Sequence, residues 1–477
     1  MMISESVAFL IGLFTLLFQI GGIYFAIKAV MISRTPQASI AWGLALVIFP
    51  YAAIPLFLIF GESRFSGYTM AGTGKVPELD AALRRVQEAI AEFGTEFPAK
   101  YRDADQLANA LRGLPVVAGN QTRLLIDGDQ AFPAIFEALD TAREYAVVQF
   151  YIIHDDGLGQ ELKKRLLAAA QRGVRCWLLY DKVGAKGLPD SYVQELERAG
   201  VQVQAFVTNR QFGRRFQMNF RNHRKLVMVD GRIAFIGGLN IGDEYVGLGP
   251  LGAWRDTHIQ IEGPAVVAFQ VSFLEDWYYA THTVPDLPVI PVCAGAEDVL
   301  LFASGPAESW SVTPAVYCEI IHDVRERLWI ASPYFVPDPM LRGALAHAAL
   351  RGVDVRIILP QGIDHLLPWL SAYAYYPQML AAGVKIWRYQ PGFMHQKVLL
   401  ADDDLAIVGS VNLDYRSFML NFELAAAVRS TDLARDVERM FEADFARSKP
   451  EDLRKFEGGS FFFRLKCRLA ALMSPEQ

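Results

Sequence analysis

Cysteine is scarce in this 477-residue chain, and its four residues are scattered at Cys176, Cys293, Cys318 and Cys467. None of them stands at the short spacing that zinc ligands require. Unclustered thiols suit a reducing compartment or simple burial, so they do not indicate on which side of a membrane the chain would fold. The cysteines therefore predict no metal site.

An excess of basic residues is also lacking. The chain has 46 Lys and Arg against 52 Asp and Glu, a net charge of -6. Proteins that bind nucleic acids usually carry a basic excess, because contacts to phosphates supply much of their affinity. We therefore expect no nucleic-acid partner.

Charge is missing altogether from two N-terminal segments. Ser6–Ile27 is uncharged over 22 residues and Thr35–Gly61 over 27. About 20 apolar residues cross a bilayer as a helix, so the two segments predict a transmembrane hairpin over residues 1–64. A cleaved signal peptide is the alternative for the first segment. It is disfavoured because the only charge that precedes the segment is the acidic Glu5, where signal peptides are basic.

Two prolines interrupt the second segment. Pro50 and Pro55 predict a kinked helix there, which weakens the case for a full second span. The basic residues that flank this segment are nearly balanced: Lys28 and Arg34 before it, Arg64 and Lys75 after it. The charge rule for membrane topology therefore leaves open which side the rest of the chain faces.

One motif is present twice. His223, Lys225 and Asp230 recur as His395, Lys397 and Asp402, at an offset of 172 residues. Gly237, Gly238 and Asn240 match Gly409, Ser410 and Asn412 at the same offset. Agreement over six positions predicts an internal duplication in which each half supplies part of one catalytic centre.

The residue types limit the chemistry of this centre. Imidazole acts as a nucleophile or as an acid and base near neutral pH, and lysine suits phosphate oxygens. A histidine and a lysine two residues apart on a strand would share one face. The apolar runs that follow predict two β-hairpins, Leu226–Val229 with Ile233–Ile236 and Val398–Ala401 with Leu405–Val408.

A metal site and an ordinary structural role are the competing interpretations of the paired histidines. A lysine beside each histidine would repel a divalent cation, and no third histidine stands at ligand spacing. A lone histidine is usually structural, but a matched pair is poorly explained in that way. We expect catalysis without a metal or another cofactor.

Strands and helices alternate from about residue 116. Tyr145–Ile153, Leu158–Arg172 and Val174–Tyr180 read as strand, helix and strand, and the second half repeats the order at Leu328–Val336, Met340–Arg351 and Val353–Leu359. This pattern predicts an α/β/α sandwich in each half, at 116–290 and 291–450, related by a pseudo-twofold axis. Residues 65–115 read as a linker with one connecting helix.

The duplicated motif resembles the signature of the phospholipase D superfamily, over about residues 116–450. The surrounding segments are similar to bacterial cardiolipin synthases: Arg221–Lys225, Asn240–Tyr245, Trp254–Thr257, Asn412–Phe418 and Asn421–Glu423. The resemblance implies two tandem phospholipase D-like domains. It further implies a phosphatidyl transfer between two phosphatidylglycerol molecules that yields cardiolipin and glycerol.

Two histidines allow a two-step substitution at phosphorus through a covalent phosphohistidine. The resemblance assigns the nucleophile to His223 and the general acid and base to His395, although the local patterns do not distinguish them. The nonbridging oxygens would be held by Lys225, Lys397, Asn240, Asn412, Ser410 and Gly238.

Four carboxylates belong to the predicted site. Asp256, 33 residues after His223, and Glu423, 28 after His395, are the candidates to orient the imidazoles. Asp230 and Asp402 belong to the catalytic motif, yet their place at the strand ends favours a structural role in binding turn amides.

Several alternatives stay open. Water as acceptor would make the chain a phospholipase D that forms phosphatidic acid, and a phosphodiesterase or nuclease of the same superfamily is the other possibility. The expected partners are phosphatidylglycerol, other membrane phospholipids and the bilayer of a bacterial inner membrane, which the chain would cross more than once. The tail 451–477 reads either as an interfacial amphipathic segment or as a helix docked on the protein. The sequence does not predict the oligomeric state.

Overall fold

The computed structural model describes residues 5–33, 36–61, 65, 68, 76–112, 114–208, 219–308, 310–452 and 458–477. The helices are α1 Glu5–Ile32, α2 Pro36–Ile48, α3 Pro50–Phe60, α4 Pro77–Ile90, α5 Arg102–Arg112, α6 Asp127–Thr141, α7 Gly157–Gln171, α8 Asp190–Arg198, α9 Ala265–Thr281, α10 Val312–Asp323, α11 Pro339–Leu350, α12 Leu366–Ala381, α13 Tyr415–Met419, α14 Thr431–Ala446 and α15 Phe461–Ala471. Short 3₁₀ turns cover Ala91–Phe93, Asp243–Val246 and Ser474–Glu476.

The strands are β1 Gly94–Thr95, β2 Val116–Ile126, β3 Tyr145–Phe150, β4 Arg175–Asp181, β5 Gln202–Phe206, β6 Arg221–Asn222, β7 Leu226–Val229, β8 Ile233–Gly237, β9 Trp254–Arg255, β10 Thr257–Glu262, β11 Glu297–Ser304, β12 Arg327–Ala331, β13 Phe335–Val336, β14 Asp354–Pro360, β15 Lys385–Tyr389, β16 Phe393–Met394, β17 Val398–Ala401, β18 Leu405–Gly409, β19 Leu413–Asp414, β20 Asn421–Arg429 and β21 Ser448–Pro450.

The N-terminal apolar region forms three helices instead of the two that the sequence predicts. Within the described residues, one helical segment, Phe9–Ile32, is long and apolar enough to cross a membrane. The second predicted span is divided at Phe49 into α2, of 13 residues, and α3, of 11. The residue before a proline is disfavoured in helical geometry, and Phe49 has left that geometry at φ -127°. Pro55, in contrast, lies inside α3.

Each half of the chain builds a sheet of its own, and the two sheets have equivalent strand orders. In the first half the strand order is β5, β4, β3, β7, β8, β10, β2. In the second it is β15, β14, β12, β17, β18, β20, β11. The predicted α/β fold with two similar halves is confirmed. Strand β2 pairs with β10 through Gln121–Ile126 and with β11 through Val117 and Asn120, so it connects the two sheets.

Helices cover both faces of each sheet. The core between the two sheets contains α4, α9 and α14. Helices α6, α7 and α8 pack on the outer face of the first sheet, and α5, α10, α11 and α12 on that of the second. Helix α9 is buried along almost its whole length, as its apolar sequence requires.

The hairpins after the two motifs form at the predicted residues. Strands β7 and β8 join through Asp230 and Gly231, both with positive φ, and Asp402 takes the same conformation between β17 and β18. The first hairpin begins at Leu226 and the second at Val398. The motif histidines and lysines therefore lie just before the strands and not on them.

The predicted linker contains two helices, α4 and α5, where the sequence indicates one. Most of its residues before Val76 lie outside the described part of the chain, as do Arg34, Arg64 and Lys75. In the tail, α15 docks on the second half through the buried side chain of Cys467.

Candidate active site

The two motif histidines lie where the halves of the molecule cross. Strand β6 pairs in parallel with the start of β20, and β16 pairs in parallel with β9. The amide of His223 donates to the carbonyl of Phe422 at 2.9 Å, and the amide of His395 donates to that of Arg255 at 2.8 Å. Each histidine is thereby bonded to a strand of the other half. The residue whose carbonyl accepts this bond stands directly before a candidate carboxylate.

The carboxylates are consequently exchanged between the halves. His223 Nδ1 lies 3.1 and 3.0 Å from the two oxygens of Glu423. His395 Nδ1 lies 2.6 Å from Asp256 Oδ2. The sequence locates each carboxylate by its distance from the histidine of its own half, and the structure pairs it with the other histidine. An Nδ1 held in this way leaves Nε2 as the reactive atom of each ring.

The two lysines are buried beside the imidazoles. Lys225 Nζ donates to the carbonyl of His223 at 2.7 Å, and Lys397 Nζ donates to that of His395. Burial lowers the pKa of Lys225 well below its usual range and lowers the pKa of Lys397 to about 8. Burial therefore makes both ammonium groups costly to charge, and an anion bound beside them would offset that cost.

Burial also determines the protonation of the histidines. It lowers the pKa of His223 to about 4, with Glu423 acting in the opposite direction. Burial, Lys397 and Lys225 together hold the pKa of His395 well below its usual value. Both rings are therefore neutral at pH 7. A neutral ring that donates from Nδ1 presents a free lone pair at Nε2, as a nucleophile or a general base requires.

The surroundings of the two carboxylates differ in one respect. Ser410 Oγ donates to Glu423 Oε2 at 2.5 Å. At the matching position, a β-carbon on Gly238 would lie 2.1 Å from Asp256 Oδ1. The aspartate thus occupies the space that a side chain would need. The sequence predicts phosphate contacts for Ser410 and Gly238, and the structure instead places them against the carboxylates.

The two motif asparagines are placed differently from one another. Asn240 is engaged on both sides, because it accepts from the amide of Ile152 at 3.2 Å and donates to the hydroxyl of Tyr245 at 2.6 Å. Asn412 lines the cleft described below, and its amide oxygen has no hydrogen-bond partner in the described part of the chain. Of the two, Asn412 is the better placed to meet a ligand.

The motif aspartates bind backbone amides. Asp230 accepts from the amides of Arg143, Glu144 and Tyr145 at 2.8–2.9 Å. Asp402 accepts from the equivalent amides at the start of β12, those of residues 325, 326 and 327. Each carboxylate lies in the turn of its hairpin and there binds the first amides of the neighbouring strand, β3 or β12. This placement favours the structural role.

We expect the substitution Asp230→Ala to destabilise the protein by about 2–4 kcal/mol, because three amides lose an acceptor and alanine disfavours the positive φ. Turnover by the folded protein should change less than about threefold. Thermal unfolding of the purified protein, compared with the milder Asp230→Asn, measures the effect. A large fall in kcat at unchanged thermal stability would contradict the structural role.

A cleft of about 400 Å³ opens beside His223. Its other walls include Tyr151, Arg221, Tyr334, Leu367, Asn412 and Arg416. A smaller cavity of about 20 Å³ adjoins it and shares Tyr334, His365 and Pro368. Aromatic, apolar and cationic groups therefore surround one entrance, as an amphiphilic anion requires.

Comparison with known proteins identifies the family. The family model described as "Cardiolipin synthase, PLD-like domain" matches residues 135–277 and 317–445, which together make up more than half of the chain. The chain belongs to the cardiolipin synthases of the phospholipase D superfamily. The two matched segments carry the two motifs, one in each sheet.

Relatives of similar length support this assignment. Cardiolipin synthase A of Pseudomonas fluorescens is 44% identical over 463 residues, which cover 95% of this chain and 96% of that protein. Cardiolipin synthase A of Pseudomonas entomophila is 43% identical over 476 residues, with 98% of each covered. The predicted membership in the bacterial cardiolipin synthases, and with it the class of phosphatidyltransferase, is confirmed.

The fold also occurs in a solved structure. Phosphatidylserine synthase of Haemophilus influenzae superposes with a TM-score of 0.62 at 16% identity, over 79% of this chain and 100% of that one. At this identity the likeness concerns the fold alone. It shows that the two-sheet arrangement is shared beyond the cardiolipin synthases.

A buried network behind the first motif is absent from the sequence prediction. Arg224, between His223 and Lys225, donates to Asp276 at 2.8 Å and to the carbonyl of Glu423 at 3.1 Å. The arginine is 1% exposed. A sequence signal for Asp276 exists, since it lies in the otherwise largely apolar helix α9. A buried carboxylate in such a helix requires a partner.

The second motif is tied to α14 in a related way. Gln396, between His395 and Lys397, donates to Asp444 at 2.7 Å. Arg255 also donates to both oxygens of Asp444, at 2.9 and 3.1 Å. In this cardiolipin synthase the residue between histidine and lysine thus anchors each motif to a helix that packs between the two sheets. The helix is α9 in the first half and α14 in the second.

Proposed function

We propose that this cardiolipin synthase transfers a phosphatidyl group from one phosphatidylglycerol to the glycerol hydroxyl of another, through a phosphohistidine on His223. The exchanged pairs of imidazole and carboxylate carry the proposal, His223 with Glu423 and His395 with Asp256. They bring two neutral imidazoles and two lysines to one centre.

In the first step, Nε2 of His223 attacks the phosphorus of the donor lipid. The bond between phosphorus and the headgroup glycerol breaks, and the protonated form of His395, a minor species at pH 7, gives its proton to the departing oxygen. Glu423 stabilises the charge that develops on the attacking ring. Lys225, Lys397 and Asn412 are available to hold the nonbridging oxygens.

In the second step, neutral His395 accepts the proton of the acceptor hydroxyl. The oxygen of that hydroxyl attacks phosphorus, the bond from phosphorus to His223 breaks, and cardiolipin leaves. Both histidines return to their starting protonation. With water in place of the acceptor lipid, the same step would release phosphatidic acid.

The substrates remain in a bilayer, and the N-terminal helices suit such a reaction. We infer that α1 and the interrupted pair α2 and α3 anchor the chain in a bacterial inner membrane as a multi-pass segment. Support comes from the apolar sequences of the three helices and from the length of α1, which suffices for a full span. Phosphatidylglycerol, other phospholipids and the bilayer are the proposed partners.

Product analysis tests the reaction. Purified protein with phosphatidylglycerol as sole lipid should form cardiolipin and glycerol in equal molar amounts, measured with a label on the headgroup glycerol and another on the acyl chains. Phosphatidic acid as the main product would indicate the hydrolase. Cleavage of nucleic acid by the same preparation would favour the nuclease.

We expect binding of an uncleavable phosphonate analogue of phosphatidylglycerol to weaken above pH 8. Burial lowers the pKa of Lys397 to about 8, so its cation is present below that pH and lost above it. The dissociation constant should then rise by up to about tenfold per pH unit. The variant Lys397→Arg keeps its charge and should remove this rise. Binding that is constant up to pH 9.5 in the unchanged protein would contradict the prediction.

A further inference from the structure

Helix α15 has two apolar faces. Its inner face docks on α12, with Cys467 buried and the ring of Phe463 against those of Trp369 and Tyr373. The other face carries Phe462, Leu465, Leu469 and Leu472, which are 72, 40, 53 and 75% exposed. Spacings of three, four and three residues place these four side chains in one row opposite Cys467. We call this row the outer stripe.

Basic residues border the outer stripe. Lys466 and Arg468 are exposed, and helical geometry places them on opposite flanks of the row. Phe461 and Met473, 66 and 48% exposed, extend the apolar surface at its two ends. An apolar row between cations is the arrangement that lies in the interface of an anionic bilayer.

The outer stripe lies near the entrance of the cleft. Ser474, two residues beyond Leu472, hydrogen-bonds to Tyr375 of α12 at 2.6 Å, and Gln477 lines the cleft itself. At the first turn of α12, Leu366 and Leu367 are 61 and 42% exposed, and Leu367 is part of the cleft wall. Exposed apolar side chains therefore occur both on α15 and at the entrance of the cleft, on two helices that pack against each other.

We propose that the outer stripe of α15 is a second membrane contact, which seats the cleft entrance on an anionic phospholipid bilayer. Lys466 and Arg468 match the charge of phosphatidylglycerol headgroups, and the apolar side chains enter the acyl region between them. The two interpretations of the tail are then compatible, because the inner face is docked while the outer face meets lipid. The supply of substrate from that bilayer rests on the proposed function.

The depth of α15 in a membrane can be measured in the full chain. A fluorophore is attached at Leu469→Cys, with Cys293 and Cys318 replaced by serine and the two buried cysteines left in place. We expect strong quenching by brominated lipids when the protein is reconstituted into phosphatidylglycerol vesicles. The matched control position is Leu350, which is 72% exposed at the end of α11. It lies just before β14, at the end of the sheet away from the cleft, because the opposite end of β14 lines the cavity beside the cleft. A label there should be quenched several-fold less.

A charge at each of the same two positions tests the role in turnover. Leu469→Asp should raise the KM for phosphatidylglycerol in vesicles about fivefold, whereas Leu350→Asp should stay within about twofold of the unchanged protein. With short-chain phosphatidylglycerol dispersed in detergent, both variants should match the unchanged protein, because no bilayer has to be reached.

The outcomes separate the two proposals. Lack of cardiolipin formation by the unchanged protein in both lipid formats would refute the proposed function and leave the quenching result to decide on the membrane contact. Equal quenching at 469 and 350, together with equal KM values for the two aspartate variants, would overturn the membrane contact. Protection of the label at 469 that rises with protein concentration in detergent would overturn it too, in favour of a second copy of the chain.

Discussion

His223→Ala and His395→Ala are each expected to lower kcat by about 10⁵-fold, because the two rings serve one phosphorus atom and neither replaces the other. Both side chains are at least 90% buried and bonded to a carboxylate of the other half. Formation of cardiolipin from phosphatidylglycerol is the measurement, and His347→Ala, on the distant helix α11, is the control for histidine removal as such.

A substrate with a good leaving group separates the two roles. Phosphatidyl p-nitrophenol needs little protonation of the departing oxygen, so His395→Ala should still release one equivalent of nitrophenol and accumulate the phosphoenzyme. His223→Ala should give no burst. A burst from His223→Ala alone would reverse the assignment, and turnover within about 100-fold of normal in either variant would refute the shared centre.

Glu423→Gln and Asp256→Asn are each expected to lower turnover by about 10²–10⁴-fold, because an amide can hold its imidazole in the wrong tautomer and carries no charge to stabilise the cationic ring. Both carboxylates are fully buried, so water does not replace them. Steady-state turnover of phosphatidylglycerol measures the loss, and Ser410→Ala, which removes a donor to Glu423 and an acceptor of the Leu424 amide but leaves the carboxylate in place, should cost less.

The activated substrate shows which histidine each carboxylate serves. If Asp256 supports His395, the burst rate of Asp256→Asn should approach that of the unchanged protein, since the acid is dispensable there. Glu423→Gln should stay slow, since the nucleophile is impaired. The reverse result would mean that each carboxylate serves the histidine of its own half, against the observed pairing.

Local patterns predicted the hairpins after both motifs with errors of about one residue. Alternating apolar runs specify strands because side-chain direction repeats every two residues, and Asp230 with Gly231 specifies the turn. The helices that precede β4 and β14 were predicted equally well, because a glycine with positive φ, Gly173 or Gly352, marks the end of each. Such patterns predict the secondary structure of a segment and the face of it that is buried in its own sheet.

Contacts between the halves left no comparable signal. The pairing of His223 with Glu423 depends on the two-residue bridge between β6 and β20, which is too short to be recognised in a sequence. The interruption at Phe49 was nearer to prediction, because proline restricts the preceding residue, although the sequence indicated a kink and not two helices.

The reciprocal crossing of the two motifs also has a consequence for biosynthesis. His223 leaves the ribosome 200 residues before Glu423 does. Until that later segment emerges and docks, the ring lacks the group that fixes its tautomer, and the strand β20 that holds its backbone does not yet exist. A nascent or truncated polypeptide that ends between the two motifs therefore lacks a complete catalytic centre, and lipid chemistry begins only once translation is nearly finished.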